Sequence, residues 1–381
     1  MHISVVKSDL VRCLQLASTF PERDAPNPVL KNTLLSIVDA GDRHLLRVIA
    51  SDLRQTLISH APCTAMETGS LALSAKTLSE VVGTLPEGPV ELRVDGTRLV
   101  VGSGRRASKL PFEVGENFPA MPQIDESLQP VVIDASALVS LIDRVYRCTV
   151  ADASKPAVMC SVVLDIGGGE ARAVALDGVT LGFARDGYNG ASGLSVVVPI
   201  SGARRLLAAL KDYTGAVSIA YSKRQTDSAN EVTELVVQFG STQLTTKRLN
   251  RDDYPQFEQV LDTERPHALK LSRKALVSSC EAVAKVLDRE EYAKVVLELA
   301  AGELTLTTQS STGRAANDTI EGIEHDAPLR WAMNLHNILD VLVPLNSDLV
   351  EIRYENVLRP FAFSAPGNDS YIALVSPCEL R

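Results

Sequence analysis

The chain opens with ISVVKSDLVRCLQLAS from Ile3, and the same design returns as VVIDASALVSLIDRV from Val131 and LKLSRKALVSSCEAVAKV from Leu269. In each stretch two alternating apolar residues (Ile3/Val5, Val131/Ile133, Leu269/Leu271) are followed at a fixed distance by a Leu-Val pair: Leu10-Val11, Leu138-Val139 and Leu276-Val277. Apolar or small residues then recur at helical spacing, as Leu14/Ala17, Ile142/Val145 and Cys280/Val283. Alternation has the period of a strand and the later spacing that of a helix, so each stretch predicts a short strand feeding an amphipathic helix.

A second unit follows in each third of the chain: LALSAKTLSEVVGTL from Leu71, VVPISGARRLLAAL from Val197 and AMNLHNILDVLVPL from Ala332. An alternating pair (Leu73/Ala75, Val198/Ile200, Met333/Leu335) precedes the doublets Val81-Val82, Leu206-Leu207 and Val341-Leu342. Alternating strands come next, such as VELRVDGTRLVVGSG from Val90, VSIAYS from Val217 and VEIRYENVLRPFAFSA from Val350. Six units in matching order predict an α+β protein of three repeated domains, 1–127, 128–262 and 263–381, each with two helices on antiparallel sheets. The joins fall in FPAMPQIDESLQP from Phe118 and QVLDTERPHA from Gln259, which read as linkers.

Bulk composition agrees with this division. A chain of 381 residues exceeds the roughly 250 to 300 at which one hydrophobic core stops growing. Apolar residues at 45% and charged residues at 22% exclude a disordered or collagen-like chain. No apolar run is long enough for a membrane span, and the alternating N-terminus is unlike a signal peptide, so a soluble cytoplasmic protein is expected. The cysteines (Cys13, Cys63, Cys148, Cys160, Cys280, Cys378) are scattered and form no C-x-x-C pair, which predicts neither a disulfide framework nor a zinc site.

Nothing in the chain has the pattern of an active site. The histidines (His2, His44, His60, His267, His325, His336) lack a second ligand at metal spacing. Gly167-Gly168-Gly169 is followed by the strand-like ARAVAL, where a phosphate loop would open a helix, and reads as a hairpin turn. Asp95-Gly96 and Asp177-Gly178 are further turns, and there is no Gly-x-Ser-x-Gly elbow. No catalytic residue, metal or cofactor is predicted.

The formal net charge of −9 excludes a protein coated in basic surface, but charge placement is uneven. The helical segments carry Lys7, Arg12, Lys76, Arg144, Arg147, Arg204, Arg205, Lys211, Arg273, Lys274 and Lys285, against fewer acids. Bases gathered on equivalent helices of an acidic chain suit a grip on the phosphate backbone that reads no sequence.

These features together resemble the bacterial beta sliding clamp family, the processivity subunits of DNA polymerase III, over essentially the whole chain. The resemblance is carried by the first strand-helix unit, PNPVLKNTLLSI from Pro26, ASDLRQTL from Ala50, TLPEGPVELRV from Thr84, SGRRASKLPFEVGENFP from Ser103, AVALDGVTLG from Ala173, DDYPQFEQVL from Asp252 and YIALVSP from Tyr371. It implies three alike domains per chain and a head-to-tail homodimer closed into a ring, with helices facing duplex DNA that is bound without sequence specificity. Implied partners are the polymerase catalytic subunit, the clamp loader and other proteins bearing a clamp-binding motif. Implied DNA contacts are Lys7, Arg12, Arg23, Lys31, Lys76, Arg144, Arg147, Lys155, Arg204, Arg205, Arg273, Lys274 and Lys285.

The family docks partner peptides in an apolar pocket, which maps here onto Met159, Leu176, Gly178, Val179, Thr180, Leu181, Pro255, Val260, Leu374, Ser376, Pro377 and Cys378. Departures cluster at that pocket. Val179-Thr180 stands where the family has His-Arg, and Ser376-Pro377-Cys378-Glu379-Leu380 stands for M-P-M-R-L, with Arg381 beyond. Glu379 reverses a rim charge. In the second-domain loop ADASKPAVM, Lys155 is the one base, and Ala157 and Val158 replace an aromatic pair. At the dimer seam Arg105, Arg106, Leu110, Val286 and Leu287 match, whereas QSSTGRAAND from Gln309 replaces an acidic run. The expected function is a DNA clamp. The alternatives are a divergent second copy, serving a specialised polymerase or inhibitor resistance, and a clamp-fold scaffold that no longer encircles DNA.

Overall fold

The computed structural model describes residues 1–20, 28–115, 118, 130–150, 152, 154–224, 232–288, 292–325 and 327–380. The six predicted strand-helix units are present. Strand His2–Val6 leads into helix α1 (Lys7–Ala17), Ser70–Leu73 into α2 (Ala75–Gly83), and Val131–Asp134 into α3 (Ala135–Val145). Strand Leu194–Pro199 leads into α4 (Ile200–Leu210). After a helical turn α5 (Glu258–Leu261), strand His267–Ser272 leads into α6 (Arg273–Ala284) and Leu329–Asn334 into α7 (Leu335–Leu342). The class is α+β, and every strand pairing is antiparallel among the described residues.

The chain divides into two compact units, Met1–Asp134 with Tyr213–Lys247, and Ala135–Asp212 with Arg248–Arg381. The first holds a 13-stranded sheet and the helices α1 and α2. Strand Gln55–Glu67 pairs with Thr242–Lys247, setting Leu57 opposite Leu244 and Thr56 opposite Thr245, so strands from the first and middle thirds share one sheet. Leu10, Cys13, Leu14 and Ala17 of α1 and Ala75, Leu78 and Val82 of α2 are buried. Each such leucine taken fully from water contributes about 1.5–3 kcal/mol.

The second unit contains an 8-stranded and a 4-stranded sheet with the helix pairs α3/α4 and α6/α7. Strand Thr180–Gly187 pairs with Asn368–Val375, which joins the middle and last thirds. Gly167–Gly169 turns the hairpin between Ser161–Gly167 and Glu170–Leu176, as its sequence predicts, with Gly168 at φ 63. In the last third Trp331 stacks on Phe361 at 5.4 Å, and Phe361 on Tyr354 at 5.3 Å. The stretch read as a linker from Gln259 is partly built into the fold: its first residues lie in the helical turn Glu258–Leu261, and Leu261 packs on the apolar cluster that holds Phe257. Aromatic and leucine side chains there reach apolar neighbours from other strands, which local composition does not register.

One contact recurs between repeats. Lys7, the first residue of α1, donates to the carbonyl of Leu85 just past α2 at 2.7 Å and pairs with Glu87 at 2.8 Å. Arg273, its equivalent on α6, donates to the carbonyls of Leu342 and Ser347, at 3.1 and 3.0 Å, around the end of α7. A cation there satisfies carbonyls left over at a helix C-terminus and faces the negative end of its dipole. Hydrogen bonds to charged groups contribute about 1.5–3 kcal/mol each. Arg273→Ala is therefore expected to lower unfolding free energy by about 2 kcal/mol in urea titrations, with the exposed Lys274→Ala within about 0.5 kcal/mol of the parent. Equal effects would contradict the bracing role.

Candidate functional site

The bases expected to meet DNA fall into two groups. Arg12, Lys31, Lys76, Arg204, Lys274 and Lys285 are exposed. Arg12 lies 3.0 Å from Ser241 Oγ and 3.4 Å from Asp9. Lys7, Arg144, Arg147, Lys155, Arg205 and Arg273 are half-buried. Arg144 pairs with Asp186 and donates to the Ser370 carbonyl at 3.0 Å, while Arg147 bonds the Asp143 carbonyl at 2.9 Å and lies 4.4 Å over the Tyr146 ring. Arg23 lies outside the described residues.

Of the residues expected to form the partner pocket, Leu176, Leu181 and Leu374 belong to one apolar cluster of the second unit and Met159 packs against it, while the others lie outside that cluster. Antiparallel register puts Leu181 opposite Leu374 and Leu176 opposite Leu181 across the neighbouring pair. Both Leu176 and Leu374 are buried with Phe183, Tyr254 and Phe257, and Met159 packs against them. Thr149 Oγ1 holds Met159 by its carbonyl at 2.6 Å. Tyr254 and Phe257 meet edge to face with centroids 6.4 Å apart, and burial pushes the Tyr254 phenol well above its usual range.

A tight turn forms one wall. Asp177 Oδ1 accepts from the backbone N–H of Val179 at 2.9 Å and of Thr180 at 2.7 Å, and from the Thr180 hydroxyl at 3.1 Å. Gly178 sits at φ 89, a conformation that side chains resist. The turn leaves Val179 39% exposed, and Val260 at the end of α5 is 41% exposed, so two apolar side chains face solvent beside the cluster. The Ser376 N–H donates to the Val179 carbonyl at 2.9 Å, which draws the C-terminal segment alongside. Pro255 and Pro377 are half-buried. Cys378 donates its N–H to the Ala332 carbonyl at 2.7 Å, and its Sγ lies 2.9 Å from the Tyr292 hydroxyl.

Lys155 belongs structurally to this site. Its Nζ donates to the Asp177 carbonyl at 3.0 Å and lies 3.5 Å from the carboxylate, bracing the turn. Reading the sequence missed that role, together with Tyr254, Phe257, Leu249 and Tyr292. The DDYPQF stretch carried a signal for two of them, since paired aromatics around a proline have large apolar surfaces to bury.

Residues expected at a dimer seam lie on two edges. Strand Arg106–Pro111 is last in the 13-stranded sheet and Ala315–Ile320 last in the 4-stranded one, among the described residues. Arg105 is exposed at the hairpin tip, Arg106 donates to the Thr84 carbonyl at 2.7 Å, and Leu110 is buried. Val286 and Leu287, just past α6, are half-buried. Among the described residues no group of three or more His, Cys, Asp or Glu could hold a metal, and no helix is long and apolar enough to cross a membrane.

Antiparallel sheets carrying repeated helix pairs, with an apolar cluster where two repeats share a sheet, define the DNA-clamp class. The model for the DNA polymerase III beta subunit N-terminal domain matches residues 1–122, and that for its C-terminal domain matches residues 258–379. The chain belongs to this family, the bacterial beta sliding clamps. It is 27% identical over 376 residues to the beta sliding clamp of Caulobacter vibrioides, covering 94% of this chain and 95% of that one. It is 24% identical to the Pseudomonas putida clamp over the full length of both. The solved DNA polymerase III beta subunit of Pseudomonas aeruginosa superposes with a TM-score of 0.85 at 24% identity, and the Bacillus subtilis sliding clamp with 0.86 at 19%, each covering both chains completely.

Thiol burial gives a direct check on this geometry. Burial pushes the Cys280 thiol up to about 12 and raises Cys13 and Cys148 as well, whereas Cys160 and Cys378 are half-exposed beside the groove. Since the thiolate is the reactive form, iodoacetamide at pH 8 is expected to label Cys160 and Cys378 at least tenfold faster than the buried Cys13, Cys148 and Cys280, read by peptide mass spectrometry. Comparable rates would refute the placement of these thiols.

Proposed function

We infer that this chain is a DNA sliding clamp that encircles duplex DNA and confers processivity by tethering a replicative polymerase. The observation that carries this reading is full-length agreement of fold with solved clamps, together with family matches at both ends of the chain. The family matches and the full-length similarity to curated sliding clamps favour a clamp over the scaffold alternative, and no feature of the fold favours a specialised second copy.

Three domains, 1–127, 128–262 and 263–381, supply the helices that face the DNA. The exposed bases Arg12, Lys76, Arg204, Lys274 and Lys285 meet phosphates transiently, while Lys7, Arg144 and Arg273 keep their internal partners. Two copies close head to tail, the free edge at Arg106–Pro111 of one meeting Ala315–Ile320 of the other, with Leu110, Val286 and Leu287 as apolar contacts and Arg105 at the rim. Unpaired strand edges offer a ready row of donors and acceptors for such a join. Partner proteins, including polymerase and loader, insert a short apolar peptide into the groove at Leu176, Leu181 and Leu374. No catalytic step, metal or cofactor is assigned, and the setting is the cytoplasm.

Enclosure separates retention from affinity. A ring need not hold any phosphate tightly, so its contacts can be mobile and sensitive to salt. Loaded onto nicked circular DNA by its loader, the protein is expected to co-elute with circles and to be lost on linearisation. The variant Arg12→Ala/Arg204→Ala/Lys274→Ala should fold and dimerise normally yet dissociate several-fold faster, with a shallower salt dependence. Failure to co-elute with circles, despite a confirmed dimer and active loader, would sink the clamp reading. Unchanged dwell in the variant would overturn the assignment of these bases.

A further inference from the structure

The rim of the apolar groove has a charge pattern set by which side chains are already engaged. Its bases are turned inward. Lys155 is held on Asp177, with Nζ 3.0 Å from the carbonyl. Arg251 lies 3.6 Å from Asp165 and 3.9 Å from Glu258, with its guanidinium 5.7 and 5.8 Å from the Tyr254 and Phe257 ring centroids. Arg265 gives its donors to the carbonyls of Val260, Leu261, Thr263 and Pro360, at 2.8 to 3.3 Å.

The acids are placed differently. Asp253 directly precedes the buried Tyr254, Asp262 directly follows Leu261 of the cluster, and Glu379 lies three residues past Ser376, whose N–H meets the Val179 carbonyl. All three are exposed, and no cation pairs with them among the described residues. Arg359 is one exposed base on a neighbouring turn, next to Pro360, so the rim has an acidic excess and is not uniformly acidic. An apolar floor with such a rim complements an apolar peptide carrying positive charge.

We propose, building on the reading that this groove docks partner peptides, that it selects peptides with lysine or arginine beside their leucine-rich core. The apolar core supplies the affinity through the exposed Val179 and Val260 beside the buried cluster. The flanking cation adds discrimination, because exposed charges interact weakly but with a definite sign. Two or three such interactions amount to about a three- to tenfold preference for a basic over an acidic flank. The preference weakens as salt shortens the Debye length from about 10 Å at 0.1 M to about 3 Å at 1 M.

The test uses the full-length protein and fluorescein-labelled synthetic peptides with one leucine-rich core, flanked on both sides by lysine, alanine or glutamate. Anisotropy titrations are expected to rank lysine above alanine above glutamate, about fivefold between the extremes at low salt and near equality in 1 M salt. Glu379→Arg, at an exposed position, should shrink or reverse the ranking. Val260→Ala should weaken all three peptides alike, as befits a shared apolar seat. Equal affinities for the three would overturn the proposal while leaving the groove reading intact. A lysine peptide insensitive to Val260→Ala would show binding elsewhere and overturn it as well. No binding by any peptide, with the circular dichroism of a folded protein, would remove the groove reading and the proposal with it.

Discussion

Antiparallel pairing of Thr180–Gly187 with Asn368–Val375 places Leu181 opposite Leu374 and Thr180 opposite Val375, and the apolar groove depends on that register. Side chains alternate across a strand, so a slip of one residue would turn Leu374 away from the cluster and replace it with a neighbour of different size. The same pairing aligns the Val179 carbonyl with the Ser376 N–H, and the C-terminal segment follows from there to Ala332. In the other unit, Gln55–Glu67 and Thr242–Lys247 join the first and middle thirds in the same manner. Shared sheets explain why compact units cut across the middle third: its strands divide between a sheet shared with the first third and a sheet shared with the last.

Helix-end chemistry shows how far the repeats have diverged. Ser74 caps α2 through the Thr77 N–H and Asn334 caps α7 through the N–H groups of His336 and Asn337, each satisfying donors that a helix start leaves open. The equivalent α4 follows Pro199 and has no side-chain cap. Lys7 and Arg273 cross from one helix of a pair to the end of the other, whereas the middle repeat has Ala135 at that position. The first and last repeats thus fix the two helices of a pair to each other by charge, and the middle repeat relies on packing of Leu138, Leu141 and Ile142.

The elements were readable in the sequence because their cause is local. A strand of alternating Ile3 and Val5 and a helix burying Leu10 and Leu14 leave a period that chance seldom repeats across three thirds. Side-chain commitments were not readable, because their partners are remote. Lys155 meets Asp177, Arg144 meets Asp186 and the Ser370 carbonyl, and Arg273 meets carbonyls around the end of α7. A list of bases on helices therefore mixes exposed cations with cations that brace the fold. Tyr254 and Phe257 were hidden for a related reason, since their burial depends on strands from two thirds of the chain. Pro255 between them was matched by motif, while the aromatic side chains that build the floor leave no periodic trace.

The division between engaged and free charge also explains how an acidic chain can work on an acidic polymer. A net charge of −9 repels DNA at long range, but salt screens that field over about 10 Å, leaving local placement to decide contact. On the proposed reading, such contact falls to exposed bases on the helices, among them Lys76, Arg204 and Lys274. Topological enclosure makes this tolerable, because a partner bound to an encircling ring stays at high effective concentration even when each contact is weak. Weak contacts at the rim can then be tuned for which partner binds and not for how tightly. In the proposed selection Glu379 has that part: it is exposed, and reversing its charge leaves the buried Leu176, Leu181 and Leu374 unchanged.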